Sequence, residues 1–237
     1  ADGSVTIDVG AGGFTDSYIL SNIFIPIGNN NTAATQFNWV YDGTAPAMIG
    51  IIVDGTSADI DWTNSTSNLT ATWSGFSDTL SGIQKYEYAI GTSSGGTDVV
   101  DWTNNTTDTS VTKAGLTLSN GTTYYLSVRA ADNVGNVSTI VTSDGITIDT
   151  DVPTISSVIE GSTTADIDYQ NSDTTLIIVW TGSDTASGIA QYEYALGTAA
   201  AASNTVAWTN AGTSTADTLT GLSLTEDSTY YLSARAT

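Results

Sequence analysis

One strand-like stretch occurs twice in this chain. Tyr124-Tyr125-Leu126-Ser127-Val128-Arg129-Ala130 returns as Tyr230-Tyr231-Leu232-Ser233-Ala234-Arg235-Ala236. In the first copy Tyr124, Leu126, Val128 and Ala130 fall on one face, and Tyr125, Ser127 and Arg129 on the other, the period-two pattern of a half-buried strand. The repeat extends well beyond the strand. Trp73 and Trp180 are 107 residues apart, as are Pro46 and Pro153, while Tyr86 and Tyr192, and Trp102 and Trp208, are 106 apart. Ala58-Asp59-Ile60-Asp61 recurs as Ala165-Asp166-Ile167-Asp168, and Tyr86-Glu87-Tyr88-Ala89 as Tyr192-Glu193-Tyr194-Ala195. Two copies in such close register share one fold.

Each copy follows a short acidic stretch ending in proline, Asp42 to Pro46 and Asp149 to Pro153. Proline fixes φ and restricts its predecessor, so both read as stiff extended junctions. They divide the chain into an N-terminal β segment (1–43) and two repeats (44–150 and 151–237). Within the first repeat, alternation and turn residues place strands near 47–53, 68–74, 84–91, 98–103, 109–117, 123–131 and 139–149. No stretch keeps a helical period. Seven short strands in about a hundred residues predict an all-β sandwich, with Trp73 as the core plug. The other tryptophans are expected to pack rather than stack on a ligand. The N-terminal segment predicts strands at 4–9 and 36–41, around an apolar run at 17–27.

Charge limits the partners. There are 25 acidic residues against four basic ones, for a net charge of −21. Such a surface repels nucleic acid and anionic lipid and attracts cations. Cysteine and histidine are absent, so there is no disulfide framework and the commonest general base is missing. No apolar run is long enough to span a membrane. A chain beginning with Ala is expected to have lost a signal peptide.

The frame Leu118-Ser119-Asn120-Gly121-Thr122-Thr123-Tyr124, followed by Leu126, Val128, Arg129 and Ala130, resembles the tyrosine-corner region of fibronectin type III and bacterial immunoglobulin-like domains. Leu224 and Tyr230 repeat it. The run from Arg129 to Ser138 is similar to repeat ends in long bacterial surface proteins and adhesins. The resemblance covers roughly residues 44–237. It implies tandem Ig-like or fibronectin-like β-sandwiches in an extracellular setting, and a tyrosine hydroxyl bonded back to the chain at the corner.

The second repeat has no counterpart of the strand at 144–149. A sandwich without it exposes a sheet edge. Asp2-Gly3-Ser4-Val5-Thr6-Ile7-Asp8 nearly repeats Asp144-Gly145-Ile146-Thr147-Ile148-Asp149. Residues 3–9 of one molecule are therefore a candidate donor strand for the next. Val5, Thr6 and Ile7 would be the donor side, and Tyr230, Leu232 and Ala234 the acceptor. The expected product is a head-to-tail homopolymer, a cell-surface filament. A stalk fragment of a larger surface adhesin, and a carbohydrate-binding module using an exposed Trp62, are the alternatives. Ile177 and Val179, where the first repeat has Thr70 and Thr72, suggest a covered outer face in the second.

Asp149, Asp151 and Asp132, with Asp42, Asn133 and Asn136 nearby in junctions and loops, offer the oxygen ligands that suit Ca²⁺, although their spacing matches no EF-hand. Asn-x-Ser/Thr sequons stand at Asn30, Asn64, Asn68, Asn104, Asn105, Asn120 and Asn136, each a glycosylation candidate. No catalytic constellation is present in the sequence. Glu87 and Glu193 occupy equivalent positions in the two repeats, which points to structure rather than to one active site.

Overall fold

The computed structural model describes residues 3–6, 38–161 and 164–237. These residues are all β, with nineteen strands and no helix among them. They form two compact units. One holds 3–6, 38–58, 70–111 and 125–144, and the other 59–69, 112–124, 145–161 and 164–237. The division does not follow the sequence repeats.

In the first unit, Gly3–Thr6 pairs antiparallel with Asn38–Tyr41, so the described parts of the expected strands at 4–9 and 36–41 form one two-stranded ribbon. Residues 7–9 and the apolar run at 17–27 lie outside the described residues. Ala47–Met48 pairs with Phe76–Ser77, and Ile52–Asp54 pairs with the strand Asn68–Trp73 at Trp73, Thr72 and Ala71. Between these two pairings the chains cross closely at Gly50 and Gly75. A Cβ on Gly75, whose φ is 86°, would sit 2.4 Å from the Gly50 nitrogen, so the crossing requires glycine. Ile83–Gly91 pairs with Thr123–Asp132 on one side and with Val100–Asn104 on the other. The core between these sheets holds Ala71, Trp73, Tyr86, Tyr88, Ile90 and Val128, with Trp73 edge-on to Tyr86 at 5.8 Å. Each such large apolar side chain contributes about 1.5–3 kcal/mol by leaving water.

The second unit contains the whole second repeat as two three-stranded sheets. Thr154–Glu160, Thr175–Ser183 and Ala216–Thr220 form one, in that order. Val206–Gly212, Tyr192–Gly197 and Tyr231–Ala236 form the other. Leu176, Ile178, Trp180 and Leu219 from the first sheet meet Tyr192, Tyr194 and Leu196 from the second in one buried cluster. Trp180 is fully buried and packs on Tyr194 at 5.5 Å. Trp73 is thus the core plug the sequence predicts, Trp180 is its counterpart in the second repeat, and the two repeats are tandem β-sandwiches.

Both tyrosine corners form. The Tyr124 hydroxyl accepts a hydrogen bond from the Ser119 N–H at 3.0 Å, and the Tyr230 hydroxyl accepts one from the Thr225 N–H at 3.0 Å. Each spans five residues, as expected for an Ig-like or fibronectin-like corner. Of the two apolar residues on the outer face of Thr175–Ser183, Val179 is partly buried, and Ile177 is exposed and lines an open cleft with Ile167 and Tyr169.

Candidate functional site

The sharpest contrast between the repeats lies along one strand edge. In the first repeat, Thr123–Asp132 is paired on both edges. Ile83–Gly91 lies along one, and Val141–Thr142 and Ile146–Ile148 along the other. On that second edge the Leu126 N–H donates to Ser143 Oγ at 3.1 Å, and the Ser143 N–H donates to the Leu126 carbonyl at 2.9 Å. Ala130 makes the same two bonds with Ser138, both at 2.9 Å. Leu126, Val128 and Ala130 therefore turn their backbone polar groups toward this edge. Val141–Thr142 and Ser138 line it, while Ile146–Ile148 lies further back, beside Thr123 and Tyr124, with Ile146 and Ile148 buried.

The corresponding strand of the second repeat, Tyr231–Ala236, pairs with Tyr192–Gly197. Among the described residues no strand pairs along its other edge. By the repeat offset, that edge carries the backbone groups of Leu232, Ala234 and Ala236. Burial changes accordingly. Leu126 is 3% exposed and Val128 0%, whereas Leu232 and Ala234 are only half-buried. Thr154–Glu160 packs near this strand without a ladder to it. Of the expected acceptor residues, Leu232 and Ala234 stand on the open edge, and Tyr230 stands at the corner just before it. Of the expected donor residues, Val5 and Thr6 lie in Gly3–Thr6, paired to Trp39 and Asn38. Ile7 lies outside the described residues.

The partner strand in that ribbon is notable for the side chains it leaves in water. Trp39, Val40 and Tyr41 are 50%, 59% and 52% exposed. Exposed apolar side chains along a strand are a feature that favours further strand pairing.

Directly after them comes Asp42, which is buried. Its Oδ1 accepts from the Thr44 N–H at 3.0 Å and its Oδ2 from the Ser81 N–H at 3.1 Å. Asp149 does the same at the second junction, accepting from Asp151 at 3.0 Å and Ser187 at 2.9 Å. The bonds from Ser187 and then Asp151 hold the Asp149 carboxyl below its usual range. Ser81 and Ser187 sit in matching loops. Asp78 Oδ1 accepts from Leu80, Ser81 and Gly82, and Asp184 Oδ1 from Ala186 and Gly188.

The acidic residues expected to bind Ca²⁺ are distributed differently from the sequence grouping. Asp132 brings a carboxylate oxygen within 4.8 Å of those of Asp42 and Asp78. Asp149 belongs with Ser187, and Asp151 accepts from Asn120 Nδ2 at 3.1 Å. Asp132 Oδ1 already takes the N–H groups of Val134, Gly135 and Asn136, while Asn136 Nδ2 reaches Asp132 Oδ2 and the Asp42 carbonyl. Asn133 Nδ2 donates to the Ser81 carbonyl at 2.7 Å. The bonds to Asp132 Oδ1 are local turn bonds, whereas those of Asp151 and Asn133 join loops distant along the chain. Asp78 was missed in the sequence, although the recurring Asp-Thr-x-Ser-Gly at 78–82 and 184–188 marks it.

The two repeated glutamates have structural partners. Glu87 pairs with Lys85 at 2.6 Å and Arg129 at 2.7 Å, and Glu193 with Arg235 at 2.6 Å. The Lys85 hydrogen bond, with that of Arg129, holds the Glu87 carboxyl below its usual range despite partial burial. Each arginine also covers a tryptophan face, Arg129 on Trp102 at 4.3 Å and Arg235 on Trp208 at 4.2 Å.

Several sequons carry structural bonds. Asn105 Nδ2 binds the Asp108 and Ser110 carbonyls, Asn120 Nδ2 binds Asp151, and Asn136 Nδ2 binds Asp132 and Asp42. A glycan on these nitrogens would replace those contacts. Asn64, Asn68 and Asn104 are exposed, and Asn30 lies outside the described residues. Trp62 is 40% exposed, on the short strand Trp62–Thr63 beside Ile146–Ile148. No helix among the described residues is long and apolar enough to cross a membrane.

No protein-family model and no curated protein matches this sequence. Among solved structures, the chain is similar to the FN1–FN3 domains of chicken CNTN1. Identity is 17%, 90% of this chain and 69% of that one are covered, and the TM-score is 0.37. It is similar to the central fibronectin-III array of RIM-binding protein at 15% identity, covering 83% of this chain and 64% of that one, with a TM-score of 0.28. The third is chitinase ChiA74 from Bacillus thuringiensis, at 18% identity and a TM-score of 0.34, covering 83% of this chain and 27% of that one. The sandwich fold itself rests on the paired sheets and the two tyrosine corners.

Proposed function

We propose that this chain is a non-catalytic extracellular structural protein whose copies join head to tail by strand donation into a cell-surface filament. The observation that carries this reading is the edge of Tyr231–Ala236. Its first-repeat counterpart is sealed by a strand, whereas this edge has none along it among the described residues. Unpaired backbone groups beside half-buried apolar side chains favour addition of a strand. The N-terminal ribbon, whose second strand exposes Trp39, Val40 and Tyr41, serves as donor. Donor and acceptor are different surfaces, so the contact repeats without closing. The charge of −21 opposes association of copies, so polymer should lengthen as ionic strength rises.

Negative-stain electron microscopy of the purified chain, with and without residues 1–41, tests this reading. Filaments from the full chain and single particles from the shortened one are expected. Filaments from both would show that the ribbon is not the donor. Single particles from the full chain at all concentrations and salt levels would leave a stalk segment of a larger adhesin as the better reading.

A further inference from the structure

The junction between the two repeats, Asp149 to Pro153, is short, and Thr150, Asp151 and Val152 within it are exposed. Water can satisfy exposed backbone, yet side chains take the N–H groups of Thr150 and Asp151. The Thr150 N–H donates to Asn120 Oδ1 at 2.8 Å, and the Asp151 N–H to Asp149 Oδ1 at 3.0 Å. The strand just before the junction is anchored as well. The Asp149 N–H donates to the Thr63 carbonyl at 2.9 Å, and the Gly121 N–H to the Ile148 carbonyl at 2.8 Å.

Two side chains join these bonds into one path. Asn120 Nδ2 donates to Asp151 Oδ1 at 3.1 Å. The Asp151 N–H reaches Asp149 Oδ1, and Asp149 Oδ2 accepts from the Ser187 N–H at 2.9 Å. The path runs from the tyrosine-corner loop of the first repeat, through the junction, to the loop at 184–188 of the second. Asp184 Oδ1, accepting from Ala186 and Gly188, shapes that loop around Ser187. All of these residues lie in the second compact unit, which takes 59–69 and 112–124 from the first repeat. The first junction has the same aspartate cap, from Asp42 to Thr44 and Ser81. Its asparagine differs. Asn136 Nδ2 donates to the Asp42 and Thr44 carbonyls, and Asn136 belongs to the same sandwich as Ser81. At the second junction the asparagine and the serine come from different sandwiches, so there the path ties one sandwich to the next.

We infer that the path Asn120–Asp151–Asp149–Ser187 is a lock that holds the second sandwich in one orientation on the closing end of the first. Asn120 and Asp149 are its positioning residues. Hydrogen bonds to carboxylates are the stronger kind, and linked bonds polarise one another, so opening one end of the path weakens the other. A tandem locked in this way transmits a push or a twist along its length, whereas a tandem on a free linker does not. The lock acts within a single copy and holds whether or not copies join.

Amide hydrogen exchange on the full chain tests the lock. Asn120→Ala changes an exposed residue and removes side-chain bonds to Thr150 and Asp151 alone. A single lock predicts that exchange at Ser187, which Asn120 does not touch, speeds up by at least about tenfold along with Thr150 and Asp151. Faster exchange at Thr150 with Ser187 unchanged would mean separate local bonds and would overturn the lock. Orientation is the second readout. The chain has no cysteine, so spin labels can be placed through Ala114→Cys and Thr220→Cys, at the exposed last residues of the matching strands Ser110–Ala114 and Ala216–Thr220. Pulsed electron paramagnetic resonance should give one narrow distance distribution in the chain with an intact junction, and a broader one after Asn120→Ala or Asp149→Ala. Asn204→Ala, which removes loop bonds to Thr198 inside the second sandwich, should leave the distribution narrow. A broad distribution with the junction intact, or a narrow one in both junction variants, overturns the inference. Melting curves check that each variant folds, and if Asp149→Ala does not, Asn120→Ala decides alone.

Discussion

Thr123–Asp132 and Tyr231–Ala236 are copies of one strand, with tyrosine, leucine, serine, arginine and alanine in the same places. One is paired on both edges and the other on one. Ser127 Oγ bonds both the Gly95 N–H and Thr142 Oγ1, whereas Ser233 Oγ accepts from Ala201 alone. The same residues are core in one repeat and rim in the other. Burial in a sandwich is a property of the neighbouring strand as much as of the residue.

The largest effect tests the cores that the two repeats share. Trp73→Ala and Trp180→Ala each remove a fully enclosed ring and should cost about 3–5 kcal/mol, read by urea denaturation. A cost below about 1 kcal/mol at either site would break the equivalence of the two cores. Next comes the site where the repeats diverge. Leu126→Ala should cost about 2–5 kcal/mol, and Leu232→Ala clearly less in dilute protein, with the gap narrowing under conditions that favour assembly. Equal costs in dilute protein would mean the second edge is already sealed. Ser143→Ala, which leaves the Leu126 N–H without its acceptor, should cost about 1–3 kcal/mol. Ser233→Ala, on the open side of the comparison, should cost less.

The smallest effect concerns pH. The Tyr194 phenol is pushed up to about 12 by burial and by donation to Asp217 at 2.6 Å. Its first-repeat counterpart, Tyr88, is raised by burial, with a Thr103 hydrogen bond pulling the other way, and the position matching Asp217 is Val111. A phenol with a raised folded-state pKa contributes stability that is whole below about pH 10, the free value, and is lost as pH rises through about 12. Tyr194 should therefore be among the last tyrosines to ionise in an ultraviolet titration. Asp217→Ala should bring that step down. An unchanged step would remove Asp217 as a cause. On the acid side, Glu87 and Asp149 are held below their usual range. Their contribution is present above the ordinary carboxylate values and fades as pH falls through the lowered ones.

Much of this fold was legible because its signals are local. The tyrosine corners announce themselves in the leucine-to-tyrosine spacing, and the strands fall within a few residues of the alternation pattern. Trp73 and Trp180 lie where alternation puts them. The illegible features depend on distance along the chain. The cap from Asp42 to Ser81 joins residues 39 apart, and no local pattern says which loop a carboxylate will reach. The pairing of Gly3–Thr6 with Asn38–Tyr41 crosses a long intervening stretch. The match of residues 2–8 to 144–149 marks the first strand as a candidate donor, but nothing in the local sequence marks Asn38–Tyr41 as its partner.

The most direct measurement is amide hydrogen exchange at Leu232 and Ala234, with Leu126 and Val128 as internal reference, in dilute and in assembled protein. Strand donation predicts exchange at Leu232 and Ala234 at least about a hundredfold faster than at the reference pair when dilute, corresponding to about 2.7 kcal/mol or more. It predicts protection approaching the reference once copies join. Protection at Leu232 and Ala234 that already equals the reference in dilute protein, or that does not rise on assembly, would contradict the claim that another copy's strand fills this edge.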